Sequence, residues 1–128
     1  MPQYKYHYFS AKALGEAPRM LFAYGGETFE DIRVPYDQWP SMKSDSVFGQ
    51  LPILEIDGKS YAQSTAISRY LGHKYKLAGA TLEENLEIDG VVDFLIDIRA
   101  KAIQVHYDKN EESKALRHKD YSETNVFK

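Results

Sequence analysis

Gly49-Gln50-Leu51-Pro52-Ile53-Leu54-Glu55-Ile56-Asp57-Gly58-Lys59-Ser60-Tyr61-Ala62-Gln63-Ser64 holds two strands, a tight turn and the opening of a helix in one short run. Ile53, Leu54 and Ile56 form an apolar strand, and a returning strand follows the pair Asp57-Gly58. Asp-Gly suits a type I′ turn, whose two central residues both need φ > 0. Gln63-Ser64 opens a helical pattern, with Ser64 placed to cap the first free N–H groups. A capped helix start favours a bound carboxylate, because its amides and its dipole both attract negative charge. Pro52 pushes Leu51 into an extended conformation whose own N–H and C=O are free to pair. By pattern alone this is a hairpin, a capped helix and a candidate anion site.

Upstream, Tyr4, Tyr6 and Tyr8 alternate with Lys5, His7 and Phe9, a period-two aromatic pattern that predicts a strand. Met20, Leu21 and Tyr24 follow Pro18 at helical spacing, and Gly25-Gly26 is the expected stop. Phe29 to Arg33 predicts a second strand. A polar, irregular segment containing Trp39-Pro40 separates it from the hairpin. Downstream, Ile67, Tyr70 and Leu71 continue the helix opened at Ser64. The order is βαβ, loop, ββα. Its short crossover implies a parallel pair, and the hairpin adds antiparallel strands to a mixed sheet. The expectation is an α/β domain of thioredoxin-like topology over residues 1–76.

Leu77 to Ala80 reads as a linker, and residues 81–128 as a partial all-α region. Leu82 to about His106 predicts one helix of roughly 37 Å. Val91, Phe94, Leu95, Ile98, Ala102 and Val105 form one face, which Ile88, Val92, Ile96 and Ile103 widen beyond half the circumference. Such a width expects neighbours on two sides. From Tyr107 onward charge dominates, and only Tyr107, Leu116, Tyr121, Val126 and Phe127 are candidates to dock. At most a short helix and a frayed end are expected there.

With 128 residues, 43% of them hydrophobic, the chain is one domain by length and can pack a core. A net charge of −3 and a pI near 5.8 give no electrostatic case for nucleic acid or an anionic membrane. The chain has no cysteine, which excludes disulfides, thiolate metal sites and thiol–disulfide exchange by its own side chains. No signal-peptide core or membrane-spanning run is evident, so a cytoplasmic protein is the expectation.

The Gly49–Ser64 residues resemble the glutathione-binding core of the cytosolic glutathione transferases. More specifically, Tyr8-Phe9, Phe22-Ala23-Tyr24, Phe29-Glu30-Asp31, Trp39-Pro40, Phe48 to Pro52, Leu54 to Gly58 and Ala66 to Leu71 resemble the sigma class. That class includes the haematopoietic prostaglandin D synthases. Lys12 to Glu16 and Glu84 to Asp89 are most similar to its insect members. The resemblance covers Tyr4 to about Lys114 and implies glutathione as co-substrate, a small hydrophobic electrophile and a homodimer. It also implies a chain truncated in the helical region, since family members continue through several more helices.

The resemblance carries residue roles. The Pro matching Pro52 is cis, and the residue matching Leu51 pairs by main chain with the cysteinyl unit of glutathione. Gln63 and Ser64 match the pair that grips the γ-glutamyl carboxylate, within a site that also includes Gly49 and Gln50. Trp39 and Lys43 match positions that contact the glycyl end, and Asp97 one that reaches glutathione on the partner subunit. The catalytic tyrosine matches Tyr8. A phenol O–H aimed at sulfur stabilises the thiolate, which a thiol of pKa about 8.5 otherwise yields only sparingly at neutral pH. By pattern alone Tyr8 is equally a core-facing strand aromatic. Leu14 stands where many sigma members carry an Arg that supports the tyrosine. Gln50 stands where the prostaglandin synthases tend to have Lys. Asp93 and Asp97 lie four apart on the long helix, but Ile96 replaces a third carboxylate, and two are too few for a metal site. His7, His73, His106 and His118 show no ligand spacing. The leading expectation is therefore a glutathione transferase. The alternative is a truncated, non-catalytic glutathione-binding or partner-binding module.

Overall fold

The computed structural model describes residues 1–123, with the Tyr121 side chain outside that description. Val126 and Phe127, two of the expected docking residues, therefore lie outside the described residues. The chain divides into two compact units, Met1–Ala78 and a second from Gly79 onward.

In the first unit, β1 (Tyr4–Tyr8), α1 (Glu16–Gly25) and β2 (Glu30–Arg33) precede α2 (Trp39–Met42), β3 (Ile53–Ile56), β4 (Lys59–Ala62) and α3 (Ser64–Lys74). The sheet order is β2-β1-β3-β4. β1 runs parallel to β2, as the α1 crossover requires, and antiparallel to β3, which pairs antiparallel with β4. This is the thioredoxin-like arrangement. The period-two pattern of β1 turns Tyr4, Tyr6 and Tyr8 into one buried face, where they meet Phe22, Leu54, Ile67 and Leu71. Phe22 is wholly buried, stacks on Phe29 at 4.4 Å between ring centroids and meets Tyr4 edge-on at 5.4 Å.

Two local expectations shift. Helix α1 begins ahead of Pro18, at Glu16, and its core stripe is Gly15, Pro18, Arg19 and Phe22. Met20 and Tyr24 are about two-thirds exposed, at 65% and 66%. Pro18 is tolerated because N–H groups of the first turn lack helical partners anyway. Gly26 takes φ 62°, and its N–H caps Ala23 and Phe22, so the helix stops where expected. The Trp39-Pro40 segment is not irregular. It forms the single turn α2 and a 3₁₀ turn over Lys43–Asp45, started by Pro40 with its preset φ and by a 2.8 Å bond from Ser41 Oγ to the Gln38 carbonyl. The Asp57-Gly58 turn joins the Ile56–Lys59 pair with φ of 49° and 85°, both positive as its chemistry demands.

The second unit holds α4 (Leu82–Tyr107) and α5 (Glu111–Glu123), packed on each other. Thr81 caps α4, its hydroxyl accepting from Glu84 N at 3.1 Å. Among the described residues α4 buries none of its side chains, although its sequence pattern expects cover on two sides. No helix among the described residues is long and apolar enough to cross a membrane.

Candidate functional site

Strand register builds the site. His7 pairs with Ile53, and Ile53 pairs with Ala62. Tyr8, Pro52 and Gln63 are each the next residue at the same end of three adjacent strands. The β1–β3 and β3–β4 pairings together thus set the end of β1 beside the Leu51-Pro52 bond and the start of α3. That bond is cis. Gln63 Nε2 donates to Gln50 Oε1 at 3.2 Å and ties the segment before β3 to the helix start.

The remaining expected residues of this unit gather around that end. Gly49 has φ 64°, and a Cβ there would lie 3.7 Å from Lys43 Cε, so the Lys43 stem runs alongside it. Trp39 and Leu51 line one cavity of about 240 Å³, together with His7, Asp45 and Glu55. The Trp39 ring stands edge-on to Phe9 at 6.1 Å, directly after Tyr8. Asp97 lies exposed on α4, in the second unit. His7 Nε2 stands 3.6 Å from Glu55 Oε2, an ion pair when the imidazole is protonated.

Ser64 is not the cap. Gln63 holds the N-cap position with φ 80° and ψ 112°, a conformation outside the helix, and Ser64 is the first helical residue. The Gln63 side chain turns to Gln50 instead of folding back over α3, and no side chain caps the helix. The first-turn amides of α3, Ser64 N–H among them, are therefore left to other partners. They make this end of the sheet receptive to carboxylates.

The three tyrosines of β1 differ in how they use their hydroxyls. Tyr4 OH shares a 3.2 Å hydrogen bond with Tyr70 OH, and Tyr6 OH donates to the Gly15 carbonyl at 3.1 Å. Burial pushes the Tyr6 phenol far above its ordinary pKa. The Tyr70 phenol is pushed up to about 12, first by its bond to Tyr4 and then by burial. Tyr8, at the end of the strand, is 7% exposed and belongs to the core cluster. Arg19 packs over its ring, with the guanidinium carbon 5.6 Å from the centroid. Sequence reasoning missed Arg19. The signal was there, because Gly15, Pro18, Arg19 and Phe22 have i, i+3, i+4, i+7 spacing and the stripe includes one charge.

A thioredoxin-like domain with a cis-Pro loop, an open helix start and a strand-end tyrosine at one sheet end defines the class. The family model described as "Glutathione S-transferase, N-terminal domain" matches residues 3–73. The chain belongs to that family. It is 56% identical to "Glutathione S-transferase 2" of Manduca sexta over 94% of this chain and 59% of the relative. It is 46% identical to "Glutathione S-transferase S1" of Drosophila melanogaster over 87% of this chain and 45% of the relative. Among solved structures, prostaglandin synthase D of Nilaparvata lugens superposes with a TM-score of 0.87 at 39% identity, over 95% of this chain and 61% of that one. The chain thus spans about half the length of the curated relatives it matches.

Proposed function

We propose that this chain is the glutathione-binding part of a sigma-class glutathione transferase and that it activates the glutathione thiol. The observation that carries this reading is the register that sets Tyr8, Leu51-Pro52 and Gln63-Ser64 side by side. Leu51 offers its main chain to the cysteinyl unit. Ser64, Gln63 and the first-turn amides of α3 take the γ-glutamyl carboxylate. Trp39 and Lys43 take the glycyl end, with Gly49 and Gln50 lining the path between. Tyr8 donates its hydroxyl to the cysteinyl sulfur, stabilising the thiolate as it forms and attacks an electrophile. The electrophile is small and hydrophobic, such as a lipid-derived aldehyde. Detoxification in the cytoplasm, by a homodimer in which Asp97 reaches the partner's glutathione, completes the proposal.

The module reading has one observation in its favour, namely that Tyr8 is packed in the core cluster. Retention on immobilised glutathione, followed by conjugation with a generic electrophile, separates the readings. Retention with turnover supports the transferase. Retention without turnover supports a glutathione-binding module, and failure to bind contradicts the transferase and leaves only the partner-binding module.

A further inference from the structure

Tyr8 is held from three sides by groups outside the glutathione contacts proposed above. Behind the ring, Gly15 leaves no room for a side chain: a Cβ there would lie 2.0 Å from Tyr8 Cδ1 and 2.6 Å from Cε1. Gly15 is itself pinned, since its carbonyl accepts the Tyr6 hydroxyl at 3.1 Å. Across the ring lies the Arg19 guanidinium, 7% exposed. The same guanidinium grips the chain just past Tyr8, Nη2 donating to the Phe9 carbonyl at 3.1 Å and Nη1 to the Ala11 carbonyl at 2.8 Å. The Tyr8 carbonyl accepts from Val34 N at 2.8 Å, fixing the backbone on its other edge.

From this geometry we infer that Gly15 and Arg19 are positioning residues that seat the Tyr8 ring and so set where its hydroxyl points. The inference rests on the role proposed for Tyr8. Arg19 acts here through placement more than through its field, because Asp31 Oδ1 at 3.2 Å and Glu16 Oε2 at 3.5 Å offset its charge. A buried guanidinium with five planar donors holds two carbonyls, two carboxylates and the Tyr6 and Tyr8 ring faces at once, and a lysine has no comparable fork.

The test is a double-mutant comparison on the whole chain. Arg19→Lys and Gly15→Ala are made singly and in a Tyr8→Phe background. Glutathione affinity is read by calorimetry, and the pKa of the bound thiol by ultraviolet absorption of the thiolate. Each single variant is expected to raise the bound thiol's pKa by about half a unit or more. Affinity should stay within about threefold of the parent. In the Tyr8→Phe background neither should raise the pKa further, because the effect passes through the hydroxyl. Equal rises in both backgrounds, or weakened binding with an unchanged pKa, would reduce Arg19 and Gly15 to structural roles and overturn the inference. If Arg19→Lys fails to fold, Gly15→Ala carries the comparison, and failure of both to fold also assigns a structural role. A Tyr8→Phe variant whose bound thiol matches the parent removes the Tyr8 reading itself, a distinct result.

Discussion

At residue scale, Tyr8 is the one β1 tyrosine for which chemistry is proposed on top of packing. Tyr4, Tyr6 and Tyr8 share one face, and the alternation that puts them there was legible in the sequence. The difference among them was not, because hydroxyl partners such as Tyr70 and the Gly15 carbonyl arrive from distant elements. The cap at α3 shows the same limit. Propensity favours Ser at the N-cap, but the positive φ of Gln63 moves the helix start by one residue. That shift leaves Ser64 in the first turn, so Ser64→Ala should weaken glutathione binding by about 1–3 kcal/mol, the scale of a hydrogen bond to a charged group. Calorimetry showing an unchanged Kd removes Ser64 from the site. Phe22, between Tyr4 and Phe29, carries the core under β1. Phe22→Ala should cost about 3–5 kcal/mol in stability by urea titration, and a loss below about 1 kcal/mol contradicts that packing.

At element scale, local chemistry made most of the fold readable. The Asp57-Gly58 turn, the Gly26 stop and the long helix from Leu82 all follow from short-range rules. The phase of α1 was harder to read, because its buried stripe includes a charged residue and leaves Met20 outside. The α2 turn was also hidden, since four residues carry too little periodicity to register. Helix α5 shows an element set by its approach. Asn110 Oδ1 accepts from Ser113 N at 3.1 Å, and Asp108 accepts from Ser113 Oγ and from Asn110 N. The Ser113 hydroxyl first, then the Asn110 amide, hold the Asp108 carboxyl below its ordinary pKa. A depressed carboxyl stabilises the fold above its unfolded-state pKa, about 3.9. That contribution is lost as pH falls through the lower folded value. Amide exchange at Asn110, whose N–H donates to Asp108 Oδ1 at 3.0 Å, should therefore be protected near neutrality and lose protection on acidification, beyond the intrinsic change in rate. Protection independent of Asp108→Asn at neutral pH contradicts this account.

At the scale of the whole molecule, α4 exposes Val91, Phe94 and Leu95 at half their surface or more. Contiguous apolar surface of this kind drives association. In sedimentation velocity the 128-residue chain should show a larger species whose share grows with concentration, and a sharp monomer at every concentration contradicts that expectation. In the other unit, three strand ends bring Tyr8, the cis Leu51-Pro52 bond and Gln63 together, the group proposed above to hold glutathione. Removing only the Tyr8 hydroxyl keeps the ring packed between Gly15 and Arg19. The γ-glutamyl and glycyl contacts proposed above do not involve that hydroxyl, so binding should hold. The decisive measurement is the pKa of the bound glutathione thiol, titrated through its thiolate absorbance in the parent and in Tyr8→Phe. The bound thiol should be depressed in the parent and return toward about 8.5 in the variant, at a cost of at least about tenfold in conjugation rate. The same thiol pKa in both proteins would contradict the role proposed for Tyr8.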